Sequence, residues 1–337
     1  MSAAPLSLRT PMSAASILGR GPDPYPLPAL GAPLRLAFVG QATFFRACGL
    51  FERSARLFTA FFDFRHGADA GALLTRVRAF APHVVVVFRP EILPHGLFAE
   101  LRAAVLGFLT EPIPRAHGRA AHPDLRRRRA DLAAIDPGNV DRVVAFDPLI
   151  APTAEAFVPV WRSLPLPVAD ELYAPVARPA GAATILFVGR STDHREAFLA
   201  APKGQLDVVH AAFGIGSAEL AELMAAHPIA LNLHNEPYPS FENRVCLHLA
   251  AAQLVVSETL DPTHGLEPDI DFLEVAEPDH LLAVLQAAVR FPQAYQRVRV
   301  RGRRKAEAFR ASSVYPRLVD DLLVDLRAFG TARAAAA

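Results

Sequence analysis

Lysine is almost missing from this chain of 337 residues, occurring only at Lys203 and Lys305, so the other basic residues are arginines. Basic and acidic side chains number 35 and 34, a formal charge of +1, which excludes the strongly basic face of a nucleic-acid binder. The bias toward Arg, Ala and Pro reads as genome composition, so an arginine carries no argument by its presence alone. Cysteine is scarce as well. Cys48 and Cys246 give no disulfide framework, and a reducing, bacterial cytoplasm is the expected setting. No run approaches the roughly 18 apolar residues of a membrane span, so no transmembrane segment is expected. Twelve histidines are present, but none has the HExxH spacing or the paired cysteines of a metal site, and no metal is expected. Residues 1–32 lack the compact apolar core of a signal peptide and read as a disordered tail. What the chain has in quantity is apolar side chains. At 52% hydrophobic and 20% charged residues it has enough to bury cores, which excludes wholesale disorder. At roughly 100–200 residues per domain its length favours two domains.

Short apolar runs alternate with helix-length segments, the pattern of βαβ units and a mostly parallel sheet. The first series has runs at 34–39, 61–64, 84–88 and 142–146. Residues 101–109 are either a strand or part of a helix, because periodicity does not separate the two over so short a length. The 84–88 run, four valines and a phenylalanine, is apolar on both faces, as a central parallel strand requires. A Pro-rich stretch, 164–183, reads as a linker. The second series has runs at 184–188, 206–210, 229–234, 254–257 and 270–275, with helices expected over 194–200, 217–227, 241–252 and 279–290. The expected organisation is α/β: two Rossmann-like domains, 33–163 and 184–312, facing each other across a cleft. A C-terminal helix and tail follow at 313–337, and the largely helical stretch 292–329 is placed back on the N-terminal domain by analogy with such folds.

In open α/β sheets ligands bind at the carboxyl ends of the strands, where loops and helix N-termini converge. In the second series these loops are polar: Gly189-Arg190-Ser191-Thr192-Asp193-His194-Arg195, then His210 to Gly216, then Asn232-Leu233-His234-Asn235-Glu236, then Ser240-Phe241-Glu242-Asn243-Arg244. Taken singly, each suits a turn or a helix cap, as Ser191 or Asp193 would. Together at one sheet edge they point to an anion. Gly189 admits backbone N–H groups to a phosphate, Arg190 or Arg195 neutralises it, and a helix N-terminus favours it. Gly214 and Gly216 offer the same ahead of Ser217. The set suits a diphosphate. It lacks the third glycine of a dinucleotide fingerprint, so NAD has little support and no cofactor is expected. In the first series the corresponding loops hold Gly40-Gln41-Ala42-Thr43, Arg89-Pro90-Glu91, Thr110-Glu111-Pro112 and Asp147. Glu91, Glu111 and Asp147 are candidates for activating an acceptor or touching a sugar, against the plainer reading that they cap helices or pair with arginine. Arg126, Arg127, Arg128 and Arg129 read as one solvated face, and His117 and His122 as solvent-exposed.

Four stretches carry a family resemblance: Ile185-Leu186-Phe187-Val188-Gly189-Arg190, Ile229-Ala230-Leu231-Asn232-Leu233-His234, Phe241-Glu242-Asn243-Arg244-Val245 and Leu254-Val255-Val256-Ser257-Glu258. Over about residues 184–312 the chain resembles the CgeB-like, spore-maturation-type glycosyltransferases, relatives of the large retaining family with the GT-B fold. The resemblance implies a nucleotide-diphospho-sugar as co-substrate, an unidentified acceptor, retention of configuration and no metal. It places Arg190 and Arg195 near the diphosphate, Asn232 and His234 on the cleft floor, and Glu242, Asn243 and Arg244 toward the donor. Glu242 joins Glu111, Glu91 and Asp147 as a catalytic candidate, and Gly189, His210 and Gly214 complete the donor set. Two glutamates of the wider family and a glycine fall on Leu247, Pro239 and Ala252, so Glu242 or Glu236 substitutes for the ribose-binding carboxylate or the donor site is weakened. Two alternatives follow from these departures: a catalytically degenerate binding or scaffold protein, and a sugar-nucleotide epimerase on the same fold.

Overall fold

The computed structural model describes residues 24–111, 113, 116–117, 120–121, 123–177, 183–212, 215–237, 239–331 and 333. Two parallel sheets organise it. The first contains β1 (Leu34–Gly40), β2 (Leu57–Asp63), β3 (Val84–Phe88), β4 (Ala104–Leu109), β5 (Arg142–Ala145) and β6 (Val160–Ser163), in the order β2-β1-β3-β4-β5-β6. All five residues of β3 are wholly buried, as an apolar run with strands on both sides demands. The ambiguous 101–109 segment supplies β4, a strand: every one of its six residues is buried between β3 and β5. β2 starts four residues before the run read from the sequence. Its residues are mostly half-buried, as an edge strand's are, so hydrophobicity marks only part of it. β6, a half-buried edge strand of sequence Val-Trp-Arg-Ser, carries no periodic signal and lies outside the runs that the sequence marks.

The second sheet contains β7 (Ile185–Val188), β8 (Val208–Ala211), β9 (Ile229–Asn232), β10 (Leu254–Ser257) and β11 (Leu273–Glu274), ordered β8-β7-β9-β10-β11. Side chains alternate across it. Ile185, Phe187, Leu254 and Val256 enter one apolar cluster, while Leu186 and Val255 join the cluster shared with the first domain. The helices α1 (Ala70–Phe80) and α2 (Pro123–Ala133) belong to the first domain. α3 (Asp193–Gln205), α4 (Ser217–Ala226), α5 (Arg244–Ala250), α6 (Pro278–Arg290) and α7 (Gln296–Lys305) belong to the second. In both sheets the first strand is flanked by the second and the third. That arrangement opens a crevice at the carboxyl end of the first and third strands, β1/β3 and β7/β9.

The last helix, α8 (Ala311–Phe329), returns to the first domain, as the fold analogy alone leads one to expect. Tyr315, Leu318, Val319, Leu322 and Leu326 are buried along one face. Tyr315 donates to Cys48 O at 2.6 Å and meets the Phe38 ring edge-on at 4.8 Å. Arg142 pairs with Asp325 at 2.5 Å and Arg162 with Asp321 at 2.7 Å. The chain thus describes two Rossmann-like domains facing each other across a cleft, tied together by α8 and by one continuous apolar cluster.

α1 ends on an exposed alanine in the left-handed region: Ala81 has φ 49° and donates to Val77 O and Arg78 O. A side chain costs about 1–2 kcal/mol in that conformation, whereas glycine adopts it freely. Ala81→Gly is therefore expected to stabilise the protein by about 1 kcal/mol in urea denaturation; a loss of stability would contradict the assigned cap.

Candidate functional site

At the β7/β9 crevice, two arginines share one carboxylate. Arg195 enters from the first turn of α3, where the Thr192 cap accepts its N–H at 3.3 Å. Its guanidinium, 4% exposed, donates through Nε to Leu233 O at 3.0 Å, through Nη1 to Arg190 O at 3.1 Å and through Nη2 to Glu242 Oε1 at 3.2 Å. Arg244, the first residue of α5, donates to Val188 O at 2.7 Å and pairs with Glu242 Oε2 at 2.5 Å. Both guanidiniums lie over the Phe187 ring, at 5.5 and 5.7 Å. The helix expected over 241–252 begins only at Arg244, and this later start frees Glu242 to reach both arginines.

Gly189 is what permits the arrangement. A Cβ there would sit 2.8 Å from Arg244 Nη1, 3.2 Å from the Phe187 ring and 3.4 Å from Arg195 Nη1. Arg190 adds a third, partly exposed guanidinium, bonded to Asn235 and, across the cleft, to Asp124 at 3.1 Å. Burial and the neighbouring Arg244 cation pull the Arg195 pKa down to about 9. Burial raises the Glu242 carboxyl, but Arg244 and Arg195 outweigh it and hold the group below the usual carboxylate range. Two buried cations against one carboxylate leave the crevice short of negative charge, which suits an anion with several oxygens.

The remaining candidates are distributed around this cluster. His210 Nε2 bonds Gly189 O at 2.8 Å, and so fixes the turn after β7. Asn232 is wholly buried and donates to Ser257 Oγ at 2.8 Å, and its Oδ1 has no partner among the described residues. His234 is 3% exposed, and burial lowers its pKa. The neutral ring donates from Nε2 to Thr259 O at 2.8 Å, which leaves Nδ1 to accept from Ser240 Oγ at 3.0 Å. Asn243 points toward the first domain, with Nδ2 3.8 Å from Cys48 Sγ. Gly214 lies outside the described residues. Glu258 was overlooked as a site residue: its carboxylate accepts from His234 N at 2.6 Å and meets His194 Nε2 at 2.8 Å, tying the β9 and α3 loops together. It directly follows β10, so the strand-end rule that found the others also reaches it.

The first-domain carboxylates stand in local pairs. Glu91 bonds Arg89 at 2.8 Å, and burial pushes its carboxyl up despite that cation. Glu111 pairs with Arg128 at 2.5 Å, and Asp147 caps the turn at Leu149 N at 2.7 Å. Among the described contacts none of the three reaches the arginine cluster. Glu91, Thr110, Glu111 and Arg128 line a hollow of about 20 Å³, where Thr110 Oγ1 is buried with no partner among the described residues. A cavity of about 740 Å³ lies away from both polar edges, against α8 and Trp161, so volume does not mark the site. Among the described residues no group of three or more His, Cys, Asp or Glu could hold a metal, and no helix is long and apolar enough to cross a membrane.

By sequence, no family profile and no curated protein matches the chain. By structure it is similar to HepE of Anabaena in complex with UDP-glucose, with a TM-score of 0.56, 11% identity, and coverage of 86% of this chain and 99% of that one. It is also similar to a glycosyltransferase from Rickettsia africae, with a TM-score of 0.51, 10% identity, and coverage of 86% and 98%. A third neighbour is α,α-trehalose 6-phosphate synthase from Burkholderia multivorans, with a TM-score of 0.51, 12% identity, and coverage of 91% and 100%. At these identities the likeness establishes a shared fold, and the fold of this chain is the GT-B architecture of two Rossmann-like domains across a cleft.

Proposed function

We propose that the chain is a glycosyltransferase of the CgeB-like kind, moving a sugar from a nucleotide-diphosphate donor to an acceptor with retention and without a metal. The observation that carries this reading is the Arg195–Glu242–Arg244 cluster on Phe187, closed over Gly189 at the switch point of the second sheet. A neighbour of the same fold binds UDP-glucose, which supports it. In this reading 184–312 is the donor domain and 33–163 the acceptor domain, and the cytoplasm is the compartment. Arg190, Arg195 and Arg244 take the diphosphate and stabilise the charge that develops on its leaving oxygen as the anomeric C–O bond breaks. The acceptor oxygen forms the new bond to the anomeric carbon and passes its proton to the departing diphosphate. Glu91, Glu111 and Asp147 are the acids of the acceptor face. Glu242 becomes a positioning residue for the two guanidiniums. Leu247 is half-buried against the apolar cluster and Glu242 pairs with two arginines; in this reading Glu236 is the carboxylate that meets the ribose.

The test is calorimetry with UDP, GDP, ADP and their sugars. A donor at about 100 times its dissociation constant stabilises the fold by about 2.7 kcal/mol. Arg244→Ala is expected to weaken binding about 100-fold, since a charge-assisted pair to phosphate contributes about 1.5–3 kcal/mol. Binding of none of these nucleotides by the native protein, or equal binding by Arg244→Ala, overturns the proposal.

A further inference from the structure

The opposite edge of the second sheet holds a buried cation without a counter-ion among the described residues. Arg299, in α7, is 8% exposed. Its Nε and one Nη2 hydrogen go to Ala252 O at 3.2 and 3.0 Å, and Nη1 goes to Ala177 O at 3.3 Å and Gln296 Oε1 at 3.2 Å. Of the five N–H donors of a guanidinium, the second Nη2 hydrogen has no acceptor among the described residues. No carboxylate among the described residues lies within ion-pairing distance either. Carbonyl dipoles alone offset the charge, and burial lowers its pKa. A buried guanidinium is ordinarily paired, because desolvating it alone is costly.

The same residue forms part of the wall of a cavity of about 300 Å³, whose other walls are mostly small and apolar, Ala183, Ala226, Pro228, Ala252 and Ala288 among them, with His227 and Gln253 as the other polar residues. This cavity opens at the amino ends of β9 and β10, whereas the arginine cluster lies at the carboxyl ends. The volume falls at the small end of the range for ligand pockets, and the composition is that of such pockets: an apolar body with a few polar groups, of which Arg299 alone carries a fixed charge.

We propose that this cavity is a second binding site, for a small organic acid whose carboxylate pairs with Arg299 and whose short apolar body fills the alanine-lined space. Its occupant supplies the missing counter-ion. Charge alone does not suffice, because a bare inorganic anion leaves the apolar walls uncovered. Apolar character alone does not suffice either, because an uncharged molecule leaves the guanidinium unpaired. The site is independent of the nucleotide reading, since none of its walls belongs to the arginine cluster.

The test titrates the full-length protein by calorimetry with three probes: hexanoate, hexanol and inorganic phosphate. Hexanoate is expected to bind with a stoichiometry of one, at least tenfold more tightly than either of the others. Arg299→Met is expected to weaken hexanoate binding at least tenfold. Should that variant fail to fold, Ala226→Phe reads the same point: Ala226 is solvent-accessible on the cavity wall, and the ring occludes the space without removing a buried group. The proposal is overturned by an absence of saturable hexanoate binding, by hexanol or phosphate binding as well as hexanoate, or by unchanged hexanoate affinity in the occluded variant.

Discussion

Replacing Glu242 with alanine is expected to destabilise the protein by about 3–5 kcal/mol, the cost of stripping the counter-ion from buried charges. The carboxylate lies between Arg195 and Arg244, whose side chains are 4% and 13% exposed. Without it the two guanidiniums face each other over Phe187, with only the carbonyls of Val188, Arg190 and Leu233 as acceptors. The same change separates two roles for Glu242. A residue acting only on the acceptor or the anomeric carbon would lower turnover and leave stability untouched, whereas a positioning residue moves both. If the crevice binds a diphosphate, saturating UDP should restore more stability to the variant than to the native protein, because it supplies the missing charge. The pH dependence has a definite sign. Glu242 is held below its ordinary 4.5 in the folded protein, so its stabilisation is fully present above that value and is lost as pH falls through the folded pKa. Glu242→Gln should remove that acid-side slope. Urea denaturation at neutral and acid pH measures both effects, and a Glu242→Ala variant within about 0.5 kcal/mol of native stability would refute the assigned pairing.

Gly189→Ala is expected to have a different profile, with a smaller effect on the fold and a large one on the ligand. The added methyl would lie 2.8 Å from Arg244 Nη1 and 3.2 Å from the Phe187 ring. The guanidinium is the far end of a flexible side chain and can swing aside, the ring shifts by a few tenths of an ångström, and the backbone φ of 159° is one that residues with a side chain rarely adopt, a strain of about 2–3 kcal/mol in all. What is lost is the convergence of Arg244 and Arg195 above the turn. A misplaced guanidinium no longer meets a phosphate oxygen, and nucleotide-diphosphate affinity should drop about 100-fold, or about 2.7 kcal/mol. Calorimetry with UDP alongside a melting curve separates the two effects. Native affinity in Gly189→Ala would mean that the anion sits elsewhere.

Both predictions concern contacts that differ in how far the sequence reveals them. The end of β7 and its polar loop are readable, because four apolar residues followed by glycine and arginine are a local signal. Glu242 is a catalytic candidate in the sequence only through the family resemblance. Its pairing with an arginine 47 residues earlier follows from the crossovers of the sheet and the late start of α5. β6 escaped notice because an edge strand that is only half-buried needs no apolar alternation.

By itself the sequence determined two series of buried strands and the polarity of the loops at one edge of the second series. Burial on both faces imposes unbroken apolar runs such as Val84–Phe88, and those survive in the order of residues. Only the tertiary structure decided which charges meet. It joined Arg195, Glu242 and Arg244 over Phe187, held Glu258 between two histidines, and left Arg299 buried with no carboxylate among the described residues within ion-pairing distance. Ion pairing acts between side chains distant along the chain, and no local pattern of residues encodes it.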